Sequence, residues 1–377
     1  MRRTSICAAL VGLLLQVGCD QSTPPSKPQT VPAPAAPAEG PATPATPAAA
    51  EADDQASLDA LTPLATELKK DDDGLVIEVS FRGATIDDSA LEPLKGLKRL
   101  RSVLLNDTAV TDAGMAALGA IPTLQNADLR GCAISNDGIV PLAGLEKLKA
   151  LRLSSEASVD DDGMAHVAGV TSLKVLALDG LWVSIDGLKQ LDKLVNLEEL
   201  YLAETLIDDE GLAVLAQFPK LKKLRVSRSQ VSDVGLAHLE ELPALEDLDL
   251  SECSTISDLG LEHLAGMTQL KRLNLWRLPI GDAGVAHLAG LTNLVWLNVD
   301  NIKLSNDGLK HLQGMTKLEF LHLGSTQVTD AGLPALEPLT ALKDLKLTRV
   351  EVTDEAVAKL QEKLPDTKIQ TAYIEGQ

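Results

Sequence analysis

The chain has 377 residues, 45% of them hydrophobic, with only 3 Trp, 2 Tyr and 3 Phe. Its 34 Lys and Arg face 54 Asp and Glu, a formal net charge of −20, which repels nucleic-acid phosphate rather than neutralising it. The apolar share excludes a disordered chain, and 4 cysteines are too few for a disulfide scaffold.

The charge is uneven. Residues 1–50 carry Arg2, Arg3 and Lys27 against Asp20 and Glu39, leaving −21 on the remainder. Arg2 and Arg3 precede a short apolar run ending at Gly18, the charged and apolar regions of a signal peptide over residues 1–18. The run is too short to span a bilayer. Gly18–Cys19 resembles the lipobox of bacterial lipoproteins, which implies a lipid on Cys19 as the mature N-terminus and membrane attachment by that anchor only. Gln16 departs from the family pattern, where Leu is usual; plain secretion is the alternative. Cys7 leaves with the signal.

Residues 19–53 read as a Pro/Ala-rich tether, with nine prolines between 20 and 50. Such a segment builds no core and favours polyproline II. At about 3.1 Å per residue it reaches about 90–100 Å.

From about residue 74 the chain repeats. Val110-Thr111-Asp112-Ala113-Gly114-Met115 returns as Val231-Ser232-Asp233-Val234-Gly235-Leu236 and Val328-Thr329-Asp330-Ala331-Gly332-Leu333. The Gly114 position recurs from Ala90 to Ala356 at steps of 24 or 25 residues, twelve units in all. Each unit opens like Leu148, Leu151 and Leu153, whose last two leucines at spacing two mark a short strand. The apolar spacing of three after the glycine marks a short helix. These residues resemble the leucine-rich repeat family, in the cysteine/threonine-loop variety of envelope and F-box-associated proteins. The resemblance covers roughly residues 74–371 and implies an α/β solenoid, a horseshoe of about twelve 24–25-residue units. Parallel strands line its concave face and short helices its convex face.

No unit buries both apolar rows alone, so units must stack. At about 4.8 Å per strand the stack is about 55–60 Å long. One domain, 54–377, follows: an N-terminal cap over 54–73 with an amphipathic helix over 55–70, repeats over 74–364, and a closing strand and tail over 365–377. The closing strand is expected over Lys368–Tyr373.

Four features invite a chemical interpretation. The Asp column (Asp88, Asp112, Asp161, Asp209, Asp233, Asp258, Asp282, Asp330, Asp354) fits helix starts, with Ser or Thr as N-cap and Asp beside the helix dipole. His166, His238, His263, His287 and His311 share a helix position, where neighbours lie side by side rather than converge on a metal. Cys132 and Cys253 sit in the loop after the strand, five units apart, too far for a disulfide; both are expected as buried thiols. No nucleophile elbow, phosphate loop, zinc-protease helix or Cys-x-x-Cys pair is present. Neither an enzyme nor a cofactor or metal is indicated.

The concave face carries the fourth feature. Alternate strand residues point there. Lys223, Asp247 and Arg272 share one column, and Arg228, Glu252 and Arg277 another; Arg225 and Asp249 complete a charged strip. Such columns are cross-strand ion pairs or a recognition strip. Trp276, Trp296, Phe320 and His322 fall on three successive strands, beside Arg277, Asn298 and Asp300. Aromatics among Arg, Asn and His have the composition of a binding hot spot; stacking over the sheet is the alternative. The expected function is an envelope-tethered module that recognises a protein or peptide through this face. The alternatives are a ubiquitin-ligase substrate-recognition subunit of the F-box type, and a protein that binds or hydrolyses cell-wall carbohydrate using Asp300 and His322.

Overall fold

The apolar rows of each repeat are buried by the rows of its neighbours. A computed structural model of the chain describes residues 52–372. The signal segment, Cys19, most of the tether and Tyr373 lie outside the described residues. Among the described residues fourteen strands form one open sheet in sequence order, and every pair after the first is parallel and in register. Each strand is three to five residues long, and each one from Val76–Ser80 to Asp344–Lys346 is followed by one to three turns of α or 3-10 helix. Leu148, Leu151 and Leu153 are fully buried, as are Leu345 and Leu347 in the last repeat, so the leucine rows form one continuous core.

Both ends are closed. In place of the expected helix over 55–70 stand a helix Gln55–Leu61 and a strand Glu67–Lys70. Pro63 has no N–H to continue the helix. The strand pairs antiparallel with Val76–Ser80, so the first repeat strand has no open edge. The turn between them holds Gly74 at φ 82°, where glycine is favoured. Asp53 is part of this cap: its carboxylate accepts the backbone N–H of Val76 (2.7 Å) and of Lys98 (2.8 Å). At the far end, helix Asp354–Lys363 and strand Lys368–Gln370 close the stack, the strand lying parallel to Asp344–Lys346.

The Asp column does more than favour each helix start. Where a Ser or Thr precedes it, that residue can be the N-cap, as expected: Thr111 and Ser232 each accept the N–H two residues on; in other units Asp87, Asp160 and Asp208 take that place. The aspartate itself reaches into the next unit. Asp88 accepts the N–H of Thr111 (2.8 Å) and its hydroxyl (2.8 Å), and Asp209 does the same for Ser232 (2.7 and 2.6 Å). Asn136 replaces it where the next cap is Asp160, accepting that N–H and donating to that carboxylate. The ladder explains the glycine column. A Cβ on Gly114 would lie 2.6 Å from the Asp88 carboxylate. Ile185 occupies the ladder position in its unit, and there the link to Asp208 is missing; a Cβ on Gly211 would meet Ile207 rather than a carboxylate.

Candidate functional site

The seven aromatic and polar residues expected on the concave face lie there, on adjacent strands or the turns after them. Parallel register puts Trp296 beside Phe320, with Asn298 beside His322. The Trp296 and Phe320 rings stack with centroids 5.0 Å apart and planes 7° apart. The Arg272 guanidinium covers the Trp296 ring at 4.5 Å, and the Lys346 ammonium lies 5.6 Å from the Phe320 ring centre. His322 meets Phe320 edge-on at 6.4 Å. A cation–ring–ring–cation stack results: the cations are drawn to the negative ring faces, and the two parallel rings lie within the 4.5–7 Å range of attractive aromatic pairs.

Beside the stack, Asp300 and His322 share one environment. Burial holds the Asp300 carboxyl above the usual carboxylate range, against the pull of His322, Trp276 and Arg349. Burial also pushes the His322 imidazole below its usual value, against the attraction of Asp300. His322 Nε2 is 3.4 Å from the Thr348 hydroxyl. Asn298 Oδ1 accepts the Asp300 N–H at 3.0 Å, and the Arg277 guanidinium lies 5.4 Å from the Trp276 ring centre. Glu319 is engaged elsewhere, by Lys343 at 2.7 Å, and does not join Asp300 as a second carboxylate.

The charged strip is a set of cross-strand ion pairs. Asp247 lies 3.4 Å from both Lys223 and Arg272. Arg228 is held by Glu204 (2.5 Å) and Glu252 (2.6 Å), and Glu252 also meets Arg277 (3.0 Å). Arg225 is stretched between Asp249 (3.3 Å) and Asp179 (3.5 Å). Exposed pairs of this kind contribute about 0–1 kcal/mol each.

Two features lie outside the expected strip. Asp179 and Glu204 belong to it through their arginine partners. In addition, Glu204, Arg228, Glu252 and Arg277 all have φ between 55° and 61°, a left-handed conformation that costs a side chain about 1–2 kcal/mol. The same repeat position holds Gly83, Gly131 and Gly180 in other units. That alternation of glycine with charged residues at one 24-residue position is the sequence signal for both.

Cys132 and Cys253 are buried and unpaired. Their thiols donate to the carbonyls of Leu105 and Val226, each at 3.2 Å, and burial pushes both thiols up. Thiolate formation, which nucleophilic chemistry needs, is thereby disfavoured. His263 Nδ1 approaches Glu240 at 3.2 Å on the convex side. Among the described residues no group of three or more His, Cys, Asp and Glu side chains is placed to hold a metal, and no helix is long and apolar enough to cross a membrane.

Comparison with known proteins agrees with this architecture. A family model described as Leucine Rich repeat matches residues 314–336. An internalin (inlF) from Listeria monocytogenes is similar in structure, with 21% sequence identity and a TM-score of 0.60 over 86% of this chain and 96% of that one. The fold is that of a leucine-rich repeat solenoid. An internalin C2 from the same organism has 25% identity and a TM-score of 0.45, covering 55% of this chain and 84% of its own. A leucine-rich repeat protein of Leptospira interrogans has 19% identity and a TM-score of 0.45, covering 74% and 80%. No curated protein matches the sequence.

Proposed function

We propose that this protein is a recognition module that binds a protein or peptide through the concave face of its repeat array. The observation that carries the proposal is the set of half-buried aromatic and charged side chains gathered in adjacent units of that face. Trp296 and Phe320 sit at its centre, framed by Arg272, Asn298, Asp300 and His322. Large aromatics beside arginine, partly shielded and ringed by polar groups, are the usual anchors of a protein interface. Because both ring faces of the stack are occupied, a partner meets ring edges and the polar atoms around them.

The module acts at the bacterial cell envelope, held there by a lipid on Cys19 and spaced from the membrane by the proline-rich segment. This part rests on the signal-like residues 1–18, on Gly18–Cys19, and on the nine prolines that follow. Mass spectrometry of the protein purified from membranes tests it: a diacylglyceryl-modified N-terminal Cys19 supports the anchor, and an unmodified secreted chain refutes it. For the binding face, the full chain and its Trp296→Ala/Phe320→Ala variant are used as baits on native envelope extract. A partner held by the first and lost from the second supports the face. A partner held equally by both, with both folded, places recognition elsewhere.

A further inference from the structure

One repeat position on the concave face changes character along the array. It holds Ser154, Asp179, Ala203, Ser227, Ser251 and Trp276 in six successive units. Three small side chains in a row, Ala203, Ser227 and Ser251, with Ser154 beyond Asp179, leave a hollow, and a cavity of about 340 Å³ lies there, within the size range of ligand sites. Its two long walls are charged. Arg225 and Asp249 line it on the strand side, and the left-handed residues Glu204, Arg228 and Glu252 on the loop side, with Asp179 in the floor row next to Ala203. Trp276 closes one end.

We propose that this trough binds an extended peptide segment of about six residues, with a Lys or Arg side chain at the Asp179 end and an apolar side chain against Trp276. The proposal rests on the concave-face function above and names the class of partner. The length follows from the array. Asp179 and Trp276 are four units apart, about 19 Å at about 4.8 Å per strand, and an extended chain rises about 3.3 Å per residue.

The sign follows from how the charges are paired. Four carboxylates line the trough against two guanidiniums. Arg228 is satisfied by two short contacts. Arg225 is not: both its carboxylates lie beyond 3.2 Å, the usual limit for a good N–H···O bond. Asp179 keeps one firm partner, the Ala203 N–H at 2.8 Å, and its burial outweighs the pull of Arg225 and Arg130, holding the carboxyl above the usual range. It is the carboxylate of the trough that a further cation would stabilise most, and the small floor residues leave that cation room. At the other end Trp276 offers an apolar surface of the kind that anchors peptide side chains.

The test is fluorescence polarisation of the full chain against labelled hexapeptides. Their first residue is fixed as Lys, Glu or Ala, and their last as Leu or Ser. The expected result is at least tenfold tighter binding of the Lys-first, Leu-last set than of the Glu-first set. Asp179→Asn, nearly isosteric, should reduce that preference at least fivefold. Ala203→Leu, which fills the floor, should abolish binding with circular dichroism unchanged; if it misfolds, Asp179→Asn still decides. Equal binding of Lys-first and Glu-first peptides, no binding of any set, or a folded Ala203→Leu chain that binds normally would each overturn the trough. The wider function is separated by the envelope partner. If that partner is lost with Trp296→Ala/Phe320→Ala but kept by Ala203→Leu and Asp179→Asn, the recognition face stands and the trough does not.

Discussion

The missing rung at Ile185 offers a test of what joins one repeat to the next. Replacing Ile185 with Asn copies the Asn136–Asp160 link, in which two hydrogen bonds of 3.1 and 2.7 Å cross between units. Two such bonds contribute about 0.5–1.5 kcal/mol each. Against them stand the lost contacts of a half-buried Ile, at about 25 cal/mol per Å² of apolar area re-exposed, and the ordering of the Asn side chain. The expected net gain is about 1 kcal/mol. Ile185→Asp is the matched control: it sets a second carboxylate beside Asp208, so it should gain less than Asn or lose stability. Asp112→Ala is the converse. It removes both bonds to Ser135 (2.8 and 2.5 Å), leaves that N–H without its partner, and should cost about 1–3 kcal/mol. Urea unfolding followed by circular dichroism measures all three, and hydrogen exchange at the Asp208 amide shows whether the new bond forms. An Ile185→Asn chain no more stable than Ile185→Asp, or an Asp112→Ala cost below about 0.5 kcal/mol, would show that the ladder does not hold the units together.

Three further outcomes are expected. Cys132 and Cys253 should resist a thiol reagent such as dithionitrobenzoate in the native protein and react only on unfolding, as burial and raised thiol pKa require. Glu198, which accepts from Lys174 and Lys222 and is thereby held down to about 2 from 4.5, adds stability that is present above 4.5 and lost as the pH falls towards 2; Glu198→Gln should flatten the stability curve over that window, by a small amount because the pairs are exposed. The His322 imidazole should titrate below its usual 6.5 by NMR, since burial disfavours its charged form. The unfolded chain then binds the proton first, so His322 costs stability as the pH falls below about 6.5, and His322→Asn should remove that loss.

Much of the architecture was legible because a repeat carries its own coordinates. The 24-residue step told which residues are neighbours, and therefore that Trp296 lies beside Phe320 and that Lys223, Asp247 and Arg272 share a column; the parallel register agrees in both cases. It also placed Cys132 and Cys253 in the core and Ser and Thr at the helix caps. The N-terminal cap breaks the period, and its sequence alone reads as one long helix where a helix and a strand stand. Apolar residues at helical spacing continue past Pro63, and only the open edge of the strand Val76–Ser80 turns Glu67–Lys70 into a strand.

The remainder needed three dimensions. A column of aspartates looks alike whether each caps its own helix or grips the next one, because the two differ by the direction of a single side chain. Which carboxylate a guanidinium selects is decided in the same way: Arg225 reaches past the small Ala203 to Asp179, two units back, while the Tyr201 hydroxyl in the unit between is turned to Glu199. The hollow beneath it is a property of four small side chains seen together. Periodicity determines adjacency, since every unit repeats one backbone geometry. Side-chain direction and the shape of the surface depend on packing between units, and only the stacked structure decides those.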